Sequence, residues 1–472
     1  MKVPKQNSVE QSLRFKVLFS NRKNQTMNLL DRMNYYNVNG ISIAVINDGK
    51  IDWVDSYGIA DAENGDKITT STLFQAGSIS KSITALGTLY LVQEGLVSLD
   101  EDVNKYLKSW HIPENKFTIN EKVTLRRILS HSAGLTVSGF PGYEFGSTIP
   151  SVTQILDGVK PPVNTDAIRV DSIPGVIFRY SGGGTTIAQL LIEDMTGQPF
   201  HLWMEQYVLS KLGMALSTFD QYPQRPYFLS AGHDCRGNTV SGKHHIYPEM
   251  AAAGLWSSAE DIAKFTIYLI NAFSGIDCQF LNKDLILEML KPQIQAKGKH
   301  QPGLGVFLQN QDDEIVFEHG GQDHGFIALY RGLTRQKCGF VIMMNADANG
   351  WYLMEEIANS IADVYQWKDF APIYRSIGLS DKEHYKKFAG TYKSKENDRK
   401  IVIQTDNKKL FLKEAPEMPQ IELYPDDKHH FFTQEGNHDI EFKSDTPNTL
   451  VMKDNNDEIM TYVLLKEESH HE

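Results

Sequence analysis

The sequence predicts an α+β domain, an antiparallel sheet flanked by helices, followed by a small all-β barrel. Three observations carry this reading. Hydrophobic periodicity switches between strand-like and helix-like up to about residue 376, strand-like segments stand at both ends of that region with helices between them, and composition changes abruptly beyond it. The expected domains are therefore 1–376 and 377–472. A chain of 472 residues also exceeds the roughly 150 of an average domain, as two domains require.

In chain order, an amphipathic helix is expected over 24–36. GISIAVI reads as a strand that Asn47-Asp48-Gly49 turns back into KIDWVDSYG, a two-strand hairpin. Ile79, Ile83, Leu86, Leu89, Tyr90 and Val92 recur at helical spacing before a glycine stop at Gly95, so a mostly buried helix begins near Ser78. Further helices are expected over 185–196, 259–272 and 351–365, and late strands over 303–309, 315–318, 325–330 and 339–344. The first and last strands should close one sheet. Over 382–472 only Gly390 and Gly436 remain of the chain's 35 glycines, with 14 Lys or Arg and 19 Asp or Glu among 91 residues. Short alternating runs there, KIVIQT, QIELY and HDIEFKS among them, are divided by turn signals at Asp406-Asn407, Pro425-Asp426 and Asn455-Asn456. That is the pattern of an antiparallel meander or small barrel.

Lys+Arg 47 against Asp+Glu 59 gives a net charge of −12, which argues against nucleic acid or anionic membrane as a partner. No apolar run approaches the eighteen or so residues of a membrane span, and MKVPKQNSVEQSLRF lacks the apolar core of a secretory signal. The chain as given is expected to be cytoplasmic, or periplasmic if a leader has been removed. Cys235, Cys278 and Cys338 are odd in number and widely spaced, and read as free thiols. The histidine pairs show no HExxH spacing, and the glycines of SGGGTT lack the Lys-Ser/Thr of a phosphate loop, so neither metal nor cofactor is expected.

Ser78-Ile79-Ser80-Lys81 opens the buried helix and places a hydroxyl and an amine three positions apart on one face. A serine hydroxyl is a weak nucleophile until a base takes its proton, and lysine serves when burial and the positive helix N-terminus favour its neutral form. The same helix start offers backbone N–H groups to an oxyanion. The pair alone is unspecific. A second one, Ser20 to Lys23, precedes a polar segment without a buried helix and reads as chance, and Ser78 itself could be an ordinary helix cap beside a surface lysine.

Two further segments follow in order, FRYSGGGTTIAQLLIEDMTGQPF and FEHGGQDHGF. With FQAGSISKSITAL they resemble the three motifs of the serine β-lactamase-like family, which includes class C β-lactamases, D,D-peptidases and esterases. VTLRRILSHSAGL and AGLWSSAEDIAKF look like family landmarks without catalytic roles. The resemblance spans about 40–363 and implies the β-lactamase/transpeptidase fold, Ser78 as nucleophile, Lys81 as general base and Tyr180 as proton relay. It also implies an oxyanion hole of the Ser78 and Gln322 N–H groups, and substrate contacts at His319, Gly320, Gly321 and Gly182. The tail resembles the lipocalin-like domains appended to some members.

Two departures matter. Where the family has asparagine in its second motif this chain has Gly182, which removes the amide that would hold Lys81 and an acylamino group. His319 replaces a permanently charged lysine and weakens attraction for a substrate carboxylate. Both move the expectation toward an esterase-like serine hydrolase acting through an acyl-enzyme on small esters, amides or peptides. The alternatives are a β-lactamase, a D,D-peptidase or aminopeptidase, and a non-catalytic scaffold. The aromatic, glycine-rich stretch GFPGY with Phe145 is a candidate apolar lid.

Overall fold

A computed structural model describes residues 4–223, 228–276, 279–311, 313–367, 370–379, 385–406, 408–444, 446, 448–454 and 457–465. Cys278, Asn407, Asn455-Asn456 and the His470-His471 pair lie outside the described residues. The chain forms two compact units, Val38–Asp347 and Met1–Asn37 with Ala348–Glu472.

The first unit is built on a seven-stranded antiparallel sheet. Its strands are β1 Gly40–Asn47, β2 Lys50–Gly58, β3 Gln301–Pro302, β4 Phe307–Gln311, β5 Glu314–Asp323, β6 Phe326–Leu333 and β7 Cys338–Met344, in the order β2-β1-β7-β6-β5-β4-β3. The first hairpin joins the last strand through Val341↔Ala44 and Ile342↔Ile43, as expected for a sheet closed by its ends. Its turn places Asp48 at φ 51° and Gly49 at φ 70°, the left-handed pair that a tight hairpin requires. Strand β5 runs farther than the expected 315–318, carrying regular pairing from Val316↔Leu333 to Asp323↔Phe326 straight through its two glycines. Low strand propensity hid this extension, and cross-strand pairing supplies it.

Helices α1 Ile79–Gln93, α2 Gly182–Thr196, α3 Met250–Ala253 and α4 Ala259–Phe273 belong to the same unit. Ile79, Ile83, Leu86 and Leu89 are fully buried in the core with Phe265 and Leu269 of α4 and Ile187 and Leu191 of α2. The surprise is α2, which starts three residues before the expected 185–196. Ser181 caps it by accepting the Gly184 N–H, and the glycines are there for contact. A Cβ on Gly183 would come within 2.8 Å of Ile168 Cγ1 and 2.9 Å of the Thr136 carbonyl.

In the second unit, the helix Gly350–Tyr365 buries its Leu353, Ile357 and Ile361 face, and Val17–Phe19 pairs in parallel with Ile373–Arg375. Eight short strands from Gly390–Ser394 to Ile459–Leu464 form a closed barrel, sealed by Tyr392↔Leu464 and filled by Tyr392, Ile403, Leu412, Met452 and Tyr462. The alternation in the sequence is this inward-outward pattern. The expected helix 24–36 is shorter, Leu29–Tyr35, because the Asn28 side chain accepts the Leu30 and Asp31 N–H groups and starts it there. Among the described residues no helix is long and apolar enough to cross a membrane.

Gly183→Ala separates helix propensity from packing. Propensity alone gains about 1 kcal/mol, whereas the clash costs about 1–3 kcal/mol. We expect net destabilisation in urea unfolding, and a stabilised variant would contradict the packing argument.

Candidate active site

Ser78 precedes α1 with φ −64° and ψ −7°, and its side chain makes no capping hydrogen bond. Instead, Lys81 Nζ donates to Ser78 Oγ at 2.8 Å and to the Ala252 carbonyl at 2.8 Å. Lys81 is 3 % exposed, so the alternative of a cap serine beside a surface lysine does not describe this pair. The lysine's place depends on three helices. Ser80 Oγ donates to the Gly77 carbonyl and accepts the Leu255 N–H. Thr84 Oγ1 donates to Ala251 O. Gln189 of α2 donates to Pro248 O and accepts the Ala251 N–H. Together they hold α3, and with it the Ala252 carbonyl, against α1.

Tyr180 presents its ring to the ammonium, with Nζ 4.9 Å from the centroid, a cation–π contact that stabilises a buried cation. Phe307 stacks on that ring at 6.2 Å and His319 tilts against it at 6.2 Å. No hydrogen bond to the Tyr180 hydroxyl forms among the described residues, which leaves it available to a reacting group.

Strand β5 meets the start of α1 backbone to backbone. A Cβ on Gly321 would lie 1.9 Å from Ala76 O and 3.1 Å from Ser78 N, and a Cβ on Gly77, at φ 51°, would lie 2.5 Å from Gln322 N. The backbone at Ser78 and that at Gln322 therefore lie side by side, a closeness that the two glycines allow. The Gly320-Gly321 pair is regular strand, not a bulge. Gly182 is likewise pressed, with Phe140 Cε2 2.9 Å from where its Cβ would stand. The ring of Phe140 fills the space that an asparagine there would need. Phe145, the other candidate lid residue, instead faces Tyr222 and His244. It lines a cavity of about 330 Å³ whose lining includes none of Ser78, Lys81, Tyr180, Gly182, His319 and Gln322, and whose Lys243 pairs with Asp61 at 2.5 Å.

The imidazoles of His319 and His131 are neutral. His319 Nδ1 stands 2.6 Å from the Gly320 carbonyl, which can only accept, so Nδ1 carries the proton. Burial, then the Lys81 charge, lower its pKa to about 4. Its buried Nε2 has no partner among the described residues. Burial and the same lysine also hold His131 well below the usual histidine range. Beyond it, Glu318 pairs with Arg331 and with His300 at 3.1 Å.

Three neighbours escaped the sequence reading. His131 sits in the HSAGL landmark and packs on Tyr180. Asp323 follows Gln322 directly, and burial raises its carboxyl well above the usual range. Glu249 precedes α3, is completely buried, and neither carboxyl oxygen has a side-chain partner among the described residues. Burial pushes it up to about 8. Their positions in the chain gave a signal only for His131 and Asp323, which sit inside motifs. Among the described residues no cluster of His, Cys, Asp and Glu could hold a metal ion.

Ser78, the buried Lys81, the Tyr180 ring and the close-packed backbone at Gly77 and Gly321 come together on an α+β scaffold. The family model for Beta-lactamase matches residues 28–359, and the chain belongs to that family. It is 26% identical over 323 residues, 66% of its length, to Protein flp of Staphylococcus aureus (strain N315). It is 30% identical over 237 residues, 49% of its length, to a Beta-lactamase of Pseudomonas fluorescens. The chain spans about 60% of the length of either relative. In fold it resembles an octameric penicillin-binding protein homologue from Pyrococcus abyssi, with TM-score 0.60, 21% identity, and 92% of this chain and 98% of that one covered. It also resembles a D-amino acid amidase from Ochrobactrum anthropi SV3, with TM-score 0.59, 21% identity, and 77% and 98% covered.

Glu249 sets a pH test. Its carboxyl ionises near 4.5 unfolded and about 8 folded, so between these values the native state holds the extra proton and stability falls as pH rises. Glu249→Gln should remove that slope, its stabilising gain at pH 9 exceeding that at pH 5 by on the order of 3 kcal/mol. Parallel wild-type and variant stability curves in chemical denaturation would contradict the assignment.

Proposed function

We propose that this protein is a serine hydrolase that cleaves small carboxylic esters through an acyl-enzyme on Ser78. The observation that carries this reading is the 2.8 Å contact between Lys81 Nζ and a Ser78 hydroxyl not used as a helix cap. In the reaction, Lys81 first gives up its ammonium proton to solvent, and the free amine then takes the Ser78 proton as Oγ attacks the ester carbonyl. The oxyanion forms against the Ser78 and Gln322 N–H groups. Collapse breaks the bond to the leaving oxygen, which receives the proton through Tyr180, and water then attacks the acyl group along the reverse path, releasing the acid and restoring Ser78. Both transfers are assigned to Tyr180, and its support is that its ring covers Lys81 while its hydroxyl forms no hydrogen bond among the described residues.

Ester selectivity follows from what lines the site. Phe140 packs over Gly182 in place of an amide, so an acylamino substrate lacks its partner. His319 is neutral and offers a lone pair where a carboxylate-bearing β-lactam or peptide would need a cation. The β-lactamase and D-amino acid amidase activities named for relatives and neighbours are the competing readings. They are separated by substrate and not by fold.

Turnover of a short-chain aryl ester, a chromogenic cephalosporin and a D-amino acid amide by the full chain distinguishes them. We expect the ester to be cleaved, the other two to lag by at least about 10²-fold in kcat/KM, and Ser78→Ala to lose about 10³-fold or more on the ester. A dominant cephalosporin or amide rate would overturn the ester preference, and an unchanged Ser78→Ala would overturn the nucleophile.

A further inference from the structure

His131 takes no part in the chemistry described above, yet it holds Tyr180 from three sides. Its carbonyl accepts the Arg179 N–H at 2.7 Å, and its Nδ1 accepts the Ser181 N–H at 3.1 Å. The residues immediately before and after Tyr180 are thus tied to one side chain and its own backbone. The imidazole also lies 4.3 Å, centroid to centroid, from the phenol ring. Phe307 stacks nearly parallel on both rings, at 18° to the imidazole and 22° to the phenol.

The backbone of His131 adds a second observation. It sits at φ 55°, in the left-handed region that is unfavourable for a residue with a Cβ. Such a conformation persists only where surrounding bonds determine it. Here the His131 N–H donates to Ile128 O at 3.2 Å and the Ser132 N–H to Arg127 O at 2.8 Å. Because Nδ1 accepts an N–H, the ring proton resides on Nε2. A protonated ring would lose the acceptor, and burial beside the Lys81 charge prevents that.

The Tyr180 hydroxyl forms no hydrogen bond among the described residues, so nothing attached to the oxygen fixes where it points. Its direction is set by the ring's neighbours and by the two flanking peptide units. We propose that His131 is the positioning residue of this site: by gripping the peptides on either side of Tyr180 and packing against its ring, it fixes the phenol over Lys81 without touching substrate. The inference rests on the reading in which Tyr180 moves the proton.

The test uses the full chain and the aryl ester, with two variants that both tolerate φ above zero. His131→Gly removes ring and acceptor, whereas His131→Asn keeps an acceptor near the Nδ1 position. We expect His131→Gly to lower kcat by about 10²-fold with KM within about 3-fold, and His131→Asn to regain at least about 10-fold of that loss. In a Tyr180→Phe background neither substitution should change kcat by more than about 3-fold, because the group being positioned is already gone. Equal losses in the two variants, a loss carried by KM, or the full loss persisting in the Tyr180→Phe background would overturn the inference. A Tyr180→Phe protein as active as the wild type would contradict the proton relay, and the positioning role with it. If His131→Gly does not fold, His131→Asn decides alone. At an unchanged melting temperature, a kcat loss confined to the Tyr180 background supports the role, and the same loss in both backgrounds overturns it.

Discussion

One ammonium group organises the site. Lys81 is buried, and a buried cation must be compensated or it is strongly destabilising. The compensation is mostly uncharged: the Ala252 carbonyl, the Ser78 hydroxyl and the π face of Tyr180. Each comes from a different segment, so the lysine's solvation is also the geometry of the centre. Ala252 is set by Gln189 and Thr84, Ser78 by the start of α1, and Tyr180 by the chain that leads into α2.

The same charge shapes its surroundings. It keeps His131 and His319 neutral, with burial as the larger cause in both. Burial holds the nearby acids Asp323 and Glu249 protonated, at Asp323 against the pull of the Lys81 charge. The groups that touch Lys81 are thus uncharged, while the ionised Glu318 beside His319 is paired with Arg331. Close backbone approach completes the site. Gly77 and Gly321 let strand β5 come against α1 at distances no Cβ would survive, and regular pairing with β6 keeps that strand straight.

Much of this was legible in the chain. Helical spacing from Ile79 to Val92, the Asp48-Gly49 turn and the alternating runs of the tail depend on neighbours within a few residues, and local rules read them. The Ser78–Lys81 pairing was legible because helix geometry alone brings positions three apart together. What escaped depends on distant partners. The early start of α2 comes from Ile168 and Thr136 pressing on Gly183, and the length of β5 comes from β6. The burial of Glu249 comes from packing around α3, and nothing in its immediate sequence announces it. His131 stood in a recognised landmark, but its grip on both sides of Tyr180 spans about fifty residues of chain.

The central claim is that Lys81, held by Ala252, activates Ser78 as a covalent nucleophile. Labelling with a fluorophosphonate, followed by peptide mass spectrometry, tests it most directly, because the phosphonyl adduct does not turn over. The account predicts a stoichiometric adduct on Ser78, formed at least about 10²-fold more slowly in a folded Lys81→Met protein. An adduct on another residue, or equal labelling rates in the two proteins, would contradict it.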